Sequence, residues 1–292
     1  MRYAYLGPEG TFTEEALRRL VPPRSGVIRE PYLSVPEALG AVIGGECVAA
    51  VVPLENSVKG VVQATLDQLA GAGRLSISAE IELPVRFDLM AVPGSTLVDV
   101  REVVSHPHAL AQCGGWLARW LPRARAVAAA STAAAARDVA RDARPGRAAI
   151  AAAHAAHLYG LRTLESGIGE RSDAVTRFVA VGGSAAGPDP TGRDRTSLVI
   201  SVGDGAPSAL ARVLTVFSTH AVIPTWIQTW PTGNRLGSYH FFIDVEGHIE
   251  DAVVRRTIAA LPALGARVRV LGSYPRHAAV PAGLGDHRGA TT

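Results

Sequence analysis

The sequence predicts an α/β chain in two units, on three observations. Short apolar runs that close on Gly or Pro alternate with stretches of helical period, the pattern of a largely parallel sheet with covering helices. The stretch 183–193 is rich in Gly, Pro, Ser and Asp, has no periodicity and reads as a linker. Beyond it the order strand, helix, strand, strand, helix, strand over 194–277 is that of a ferredoxin-like βαββαβ domain. The 292 residues suit two domains at roughly 100–200 residues each.

Each element has its own signal. Residues 2–6 alternate and stop at Gly7-Pro8, as a short strand does. A helix is expected over 13–20, with Thr13 as its cap, Glu14 and Glu15 in its first turn and Pro22-Pro23 beyond its end. Ser34 caps a helix over 36–44, and 47–53 is a buried-type strand closed by Pro53. Helix follows over 60–69, ended by Gly71 and Gly73. Strand-like segments fill 77–92 around Pro84, and 103–105 is a short strand before His106-Pro107-His108. Helix is expected at 109–120, 132–143 and 152–159, and strand at 127–129, 148–151 and 178–181. In the second unit, strand 196–202 leads to helix 207–219, whose Ala209, Leu210, Val213, Val216 and Phe217 share a face. Strands 222–230 and 238–245 are joined by a turn at Thr232-Gly233-Asn234, then helix 250–261 and strand 268–274 follow. Residues 278–292 are mostly small or polar and read as a loose tail.

Composition narrows the functions. Hydrophobic residues make up 48% and charged residues 19%, enough apolar material for a core. Net charge is only +3, and the arginines are scattered without interleaved aromatics, so nucleic acid is a poor partner. Lys59 is the only lysine; Gly60 follows it, so there is no Gly-Lys-Ser/Thr phosphate loop, and Schiff-base chemistry would have to use Lys59. Cys47 and Cys113 form no CxxC and fit a reducing, cytoplasmic setting. No signal peptide and no long apolar span is expected, so no membrane.

Polar clusters stand at strand ends, where α/β sheets gather ligands. Gly7-Pro8-Glu9-Gly10-Thr11-Phe12-Thr13 opens a helix and can hold an anion on backbone amides and hydroxyls; an ordinary βα turn reads the same. Glu55-Asn56-Ser57 after the third strand offers a carboxylate, an amide and a hydroxyl, or simply a helix cap. Ser105-His106-Pro107-His108 precedes Gln112; the two histidines lack companions for a metal set. His154 and His157 read as surface or capping residues. Ser131-Thr132 is a second helix start of the anion-holding type, or a plain cap. Thr176 can donate a hydrogen bond and Arg177 can pair with a carboxylate; a surface salt bridge is the plainer reading. Together these clusters, without a cofactor motif, fit a small di-acid held in a cleft between lobes.

In order and spacing, Gly7–Thr13, Pro53-Leu54-Glu55-Asn56-Ser57, the run from Ser105 to Gln112, Ser131-Thr132-Ala133 and Thr176-Arg177-Phe178 resemble the prephenate dehydratase signature over about residues 1–277. The resemblance implies a two-lobed, periplasmic-binding-protein-like catalytic domain over 1–182. It also implies an ACT regulatory domain over 194–277, where Tyr239-His240-Phe241-Phe242-Ile243-Asp244-Val245-Glu246-Gly247-His248 matches a family strand. It implies conversion of prephenate to phenylpyruvate in phenylalanine biosynthesis, with no metal or organic cofactor because decarboxylation supplies the electrons. Thr176 is then the group that protonates or polarises the leaving hydroxyl, with Glu55, Asn56, Ser105 and Gln112 lining the catalytic site. Thr11, Phe12, Thr13, Ser57, Ser131, Thr132, Arg177 and Phe178 are expected to bind substrate. A homodimer or homotetramer, with an amino-acid effector at the ACT domain, is also implied.

The chain departs from the family pattern. Ala174 stands where Asn is usual, and His108 where Gln is commoner. Ser208-Ala209-Leu210, after Pro207, replaces a Gly-Ala-Leu loop, and Gln228-Thr229-Trp230-Pro231 replaces a Glu-Ser-Arg-Pro strand. Ser208 adds a side chain where backbone approaches the ligand, Gln228 lacks the carboxylate and Trp230 exchanges a cation for a ring. Weakened, lost or redirected phenylalanine feedback is therefore expected. Action on arogenate or a modified prephenate, or a non-catalytic sensor on the same fold, are the alternatives; retention of the main motifs argues against the sensor.

Overall fold

The first strand, β1 (Arg2–Leu6), buries Ala4 and Tyr5 and pairs in parallel with β2 (Ile28–Tyr32) and β3 (Ala49–Asn56). These positions come from a computed structural model, which describes residues 1–22, 24–71, 75–183, 187–202, 208–233 and 238–277. Pro207, Asn234, part of the expected linker and the tail 278–292 lie outside the described residues.

Helices α1 (Phe12–Leu20) and α2 (Val35–Ile43) connect these strands. The cap of α1 is Thr11, not Thr13: Thr11 is extended and its hydroxyl accepts the Glu14 amide, while Thr13 lies buried inside the first turn. Ser34 caps α2 as expected. The expected helix over 60–69 divides. Gly60 and Val61 form a two-residue strand β4 (Gly60–Val61) against β3, and α3 (Gln63–Gly71) starts after it. β5 (Leu75–Pro84) completes this part of the sheet.

The chain then crosses into a second sheet. Its strands are β6 (Asp88–Ala91), β7 (Glu102–Ser105), β8 (Arg125–Ala128), β9 (Arg147–Ala151) and β10 (Arg162–Glu165), in spatial order β10-β6-β9-β7-β8. Helices α4 (Pro107–Gln112), α5 (Gly114–Trp120), α6 (Thr132–Asp142) and α7 (Ala153–Tyr159) belong to it. The single helix expected at 109–120 breaks at Cys113, ahead of Gly114-Gly115; glycine is a poor helix interior, and the Glu170 carboxylate takes the Gly115 amide at 2.7 Å. β2 and β10 carry no sequence expectation because both are short edge strands rich in charge, and β2 contains Pro31.

β11 (Val175–Gly183) returns to the first sheet and lies between β3 and β5, antiparallel to both. The first sheet is therefore mixed and not largely parallel, and so is the second, where β6 runs antiparallel to β9 and β10. Two crossings, at 85–87 and before β11, give the two-lobed arrangement.

The third sheet follows: β12 (Asp194–Val202), α8 (Ala209–Thr219), β13 (Pro224–Pro231), β14 (Tyr239–Glu246), α9 (Ala252–Ala260) and β15 (Ala266–Pro275), ordered β13-β14-β12-β15 and antiparallel. This is the βαββαβ pattern, compatible with an ACT domain. Leu198, Ile200, Phe241 and Ile243 on one face pack with Val213 and Phe217 of α8 and Val254 of α9. The alternate residues Val199 and Phe242, with Leu271 and Tyr274, face the other way and share a core with Leu54, Leu66, Leu69 and Ile77 of the first lobe.

Gly272 makes that contact possible. A Cβ at this position would overlap the Ile77 carbonyl of β5. Replacement of Gly272 by Ala is expected to lift β15 from β5 and lower the melting temperature by at least about 4 °C, read by circular dichroism. An unchanged melting curve would refute that role.

Candidate active site

The pairing of β11 with β3 brings together two residues 120 positions apart: Thr176 lies opposite Asn56. The Asn56 Nδ2 donates to Thr176 Oγ1 at 2.8 Å, while Asn56 Oδ1 accepts the Val58 and Lys59 amides, each at 2.9 Å. The two amide donors fix which end of the carboxamide is oxygen, so Asn56 can only donate to Thr176. The threonine oxygen accepts, and its own proton remains available to a third group. Ser57 ties the same corner, accepting the Val175 amide on its hydroxyl at 3.0 Å.

Facing parts of the second lobe come close. Beside Gly10, at φ +83, a Cβ would lie 3.1 Å from Tyr159 Cε2 and 3.5 Å from Ala133 Cβ. The starts of α1 and α6 therefore approach each other across the lobes. Tyr159 donates to the Glu9 carbonyl at 2.6 Å, and Phe12 meets Phe87 edge to face at 5.9 Å. His154 Nδ1 of α7 lies 3.3 Å from Glu15 Oε2 of α1 and, with Arg19, holds that carboxyl below the usual range. Ser131 caps α6 by accepting the Ala134 amide at 3.0 Å, as Thr11 caps α1. The first amides of a helix have no intrahelical acceptor and carry the positive end of its dipole, so two anion-favouring ends converge here.

Several expected site residues have other duties. Arg177 follows Thr176 on β11 and so points to the opposite face of the sheet. Its Nε donates to Glu80 at 2.8 Å, one terminal nitrogen to Asp244 at 2.6 Å and the other to Tyr274 at 2.9 Å. Arg177 is thus an interdomain tie and not a substrate clamp. Phe178 is buried in the core with Tyr5, Leu17 and Ile81 and offers no surface to a ligand. Ser105 is fully buried, and its hydroxyl donates to the Ile150 carbonyl at 2.6 Å, pinning β7 to β9. Thr13 is buried as well. Glu55 and Gln112 are half-buried, and the Gln112 carbonyl accepts the Glu170 amide. Ala174 is buried beneath Val85, whose amide donates to its carbonyl; His108 is exposed on α4, its amide given to His106 Nδ1. Burial, then the neighbouring His108, lowers the His106 pKa.

In the third sheet, Ser208 is exposed before Ala209 and Leu210, Gln228 Nε2 turns onto the Thr229 carbonyl, and Pro231 is exposed. Trp230 reaches the first lobe, where its Nε1 donates to Asp67 of α3 at 2.8 Å. The sequence reading missed the partners of Arg177, which are Glu80, Asp244 and Tyr274, and with them Arg195 and Ser197, which donate to Glu80 and Asp244. Their signal was present as a charge inside an apolar strand, Glu80 among Ile77, Ile81 and Leu83, and Asp244 after Phe241-Phe242-Ile243. Among the described residues no group of three or more His, Cys, Asp or Glu is placed to hold a metal ion.

The family profile of prephenate dehydratase matches residues 3–186. The chain belongs to the prephenate dehydratase family. The prephenate dehydratase of Mycolicibacterium gilvum is 45% identical over 281 residues, spanning 93% of this chain and 90% of that one. The crystal structure of the Arthrobacter aurescens prephenate dehydratase in complex with L-Phe superposes with a TM-score of 0.87 at 42% identity, covering 98% of this chain and 94% of that one. A structure described as a quorum-quenching acylase shares the architecture at 29% identity and a TM-score of 0.84, covering 94% of this chain and 98% of that one. The architecture thus accompanies more than one described activity, and residues decide between them.

Within this prephenate dehydratase fold the Asn56–Thr176 pair makes a sharp expectation. Replacing Asn56 by Asp turns the donor into an acceptor that captures the Thr176 proton. Turnover is expected to fall on the order of 100-fold, with a smaller change in KM, in a steady-state assay. Wild-type kcat in that variant would exclude the arrangement.

Proposed function

We propose that this chain converts prephenate to phenylpyruvate, with Thr176 donating to the departing hydroxyl. The observation that carries the reading is the oriented Asn56–Thr176 pair, in a chain of this family. Hydroxide is a poor leaving group and needs a proton or a hydrogen bond as it departs. The ring carboxylate leaves as carbon dioxide, its bonding electrons move into the ring, and the C4–O bond breaks with uptake of a proton to release water. The ring becomes aromatic, which drives the step. Threonine is a weak acid, so its part is hydrogen-bond donation in a concerted loss and not free proton transfer. Asn56, by filling one acceptor position on Oγ1, directs the hydroxyl proton toward the substrate and makes it more acidic.

The substrate's two carboxylates need positive ends to rest on. Arg177 is engaged elsewhere, so we assign this work to the amides at the starts of α1 and α6, framed by Thr11, Ser131 and Thr132. Glu55 and Gln112 remain candidates to line the same cleft. Both cysteines are free and buried, as suits a reducing cytoplasm, and no helix among the described residues is long and apolar enough to cross a membrane.

The third sheet acts, in this reading, as an ACT domain that also carries homo-oligomer assembly. The Arthrobacter relative is described with L-Phe bound. Here Ser208, Gln228 and Trp230 depart from the residues that resemblance leads one to expect, and Trp230 is spent on Asp67. Phenylalanine feedback is accordingly lost or redirected to another ligand, or weakened beyond the millimolar range.

Two measurements test the reading. Thr176→Ala is expected to lose most phenylpyruvate formation, about 100-fold or more, with an unchanged circular dichroism spectrum; near-wild-type turnover would end the assignment. Wild-type turnover should be unaffected by millimolar-range phenylalanine, and titration calorimetry of the full chain should give little heat. Tight binding with inhibition would overturn the reading of Ser208, Gln228 and Trp230.

A further inference from the structure

Four buried charged side chains meet at the boundary between the first and third sheets. Arg177 and Arg195 both donate to one oxygen of Glu80, at 2.8 and 2.6 Å. Asp244 of β14 accepts from Arg177 at 2.6 Å on one oxygen and from Ser197 of β12 at 2.5 Å on the other. Tyr274 of β15 accepts from Arg177 and lies 2.6 Å from Ser197 Oγ. Arg177, Glu80, Arg195 and Asp244 are each at most 8% exposed. Every nitrogen of the Arg177 guanidinium is thus held, two of the three by the third sheet.

We infer that Asp244, on the third sheet, is a positioning residue for the dehydration: it acts through Arg177 to set the height at which β11 presents Thr176 to the cleft. The inference rests on Thr176 being the donor. Three features carry it. Thr176 and Arg177 are adjacent, so a displacement of one is passed through a single backbone link to the other. The register of β11 against β3 shifts between Arg177 and Phe178, leaving Leu54 unmatched, and this irregularity sits directly beside the pair. The extra residue is on β3, so the pairing that joins β11 to the Asn56 strand is interrupted here, while the pairing of β11 with β5 runs in register from Val175 to Ala180 and carries β11 together with Glu80. Finally, Asp244 and Ser197 belong to the third sheet, so a shift of that sheet is passed to Arg177, the neighbour of Thr176, through these bonds. Trp226, with its ring 5.9 Å from the Arg177 guanidinium carbon, covers the same link.

The test is steady-state kinetics on full-length variants, with melting curves in parallel. Asp244→Asn keeps the shape and removes the charge; kcat is expected to fall about tenfold while KM stays within about twofold, since substrate contacts are untouched. Ser197→Ala loosens Asp244 without altering any charge and should lower kcat about threefold in the same manner. Asp67→Asn weakens the Trp230 contact elsewhere on the same boundary and should leave both constants within about twofold. If Asp244→Asn fails to fold, Ser197→Ala decides. Wild-type kcat in Asp244→Asn and Ser197→Ala, beside an inactive Thr176→Ala, would overturn the inference and leave the donor assignment standing. An equal loss of kcat in Asp67→Asn would overturn it too, because the boundary as a whole would then be responsible. An active Thr176→Ala would instead remove the donor assignment on which the inference rests.

Discussion

Arg177 is the constraint on which the two halves of the chain depend. A buried guanidinium costs several kcal/mol in lost hydration unless its charge and all its donors are met. Here Glu80 comes from the first sheet, while Asp244 and Tyr274 come from the third. The negative charges, together with Tyr274, hold its pKa above the ordinary arginine value in spite of burial. Tyr274 is itself pushed upward by burial and by Asp244, so it stays a neutral phenol. Neither sheet can leave without stranding a charge, whereas the apolar core around them, which includes Phe242 and Leu69, would lose only area. Charge fixes the alignment of the boundary, and apolar packing supplies its area.

The cleft obeys a different rule. As proposed, it draws on the ends of elements and not on their middles: the end of β3, the beginning of β11, and the starts of α1 and α6. Strand ends and helix starts leave backbone amides unspent, and two of the helix starts are brought to face each other where Gly10 meets Ala133 and Tyr159. A dianionic substrate can therefore be met by backbone dipoles from separate lobes, while the charged side chain nearest in sequence, Arg177, faces away. One strand serves both purposes because its side chains alternate: Thr176 to the cleft, Arg177 to the boundary.

How much of this could be read beforehand follows from the range of each interaction. The apolar runs at 47–53, 148–151 and 178–181 gave β3, β9 and β11, and Ser34 and Ser131 gave their helix caps, because hydrophobic period and capping are local. β2 and β10 escaped notice because edge strands need little apolar material, and the helix at 109–120 was overdrawn because its break depends on Glu170, far along the chain. At the site, Thr176 and Asn56 were legible as polar residues at strand ends. Their hydrogen bond was not, since it spans 120 positions. Arg177 was expected at the site for its charge, and Ser105 and Phe178 through the family resemblance; each is drawn into packing or bonding by a neighbour that sequence order does not reveal.

The sequence by itself determined the α/β class, the final βαββαβ order and the set of polar strand ends, all carried by residues within a few positions of one another. Tertiary structure alone decided the mixed direction of both N-terminal sheets, the seating of the third sheet on β5 through Gly272, and the direction in which Arg177 points. Those outcomes turn on which distant strands become neighbours. A side chain's partner is chosen by that neighbourhood, and no local pattern encodes it.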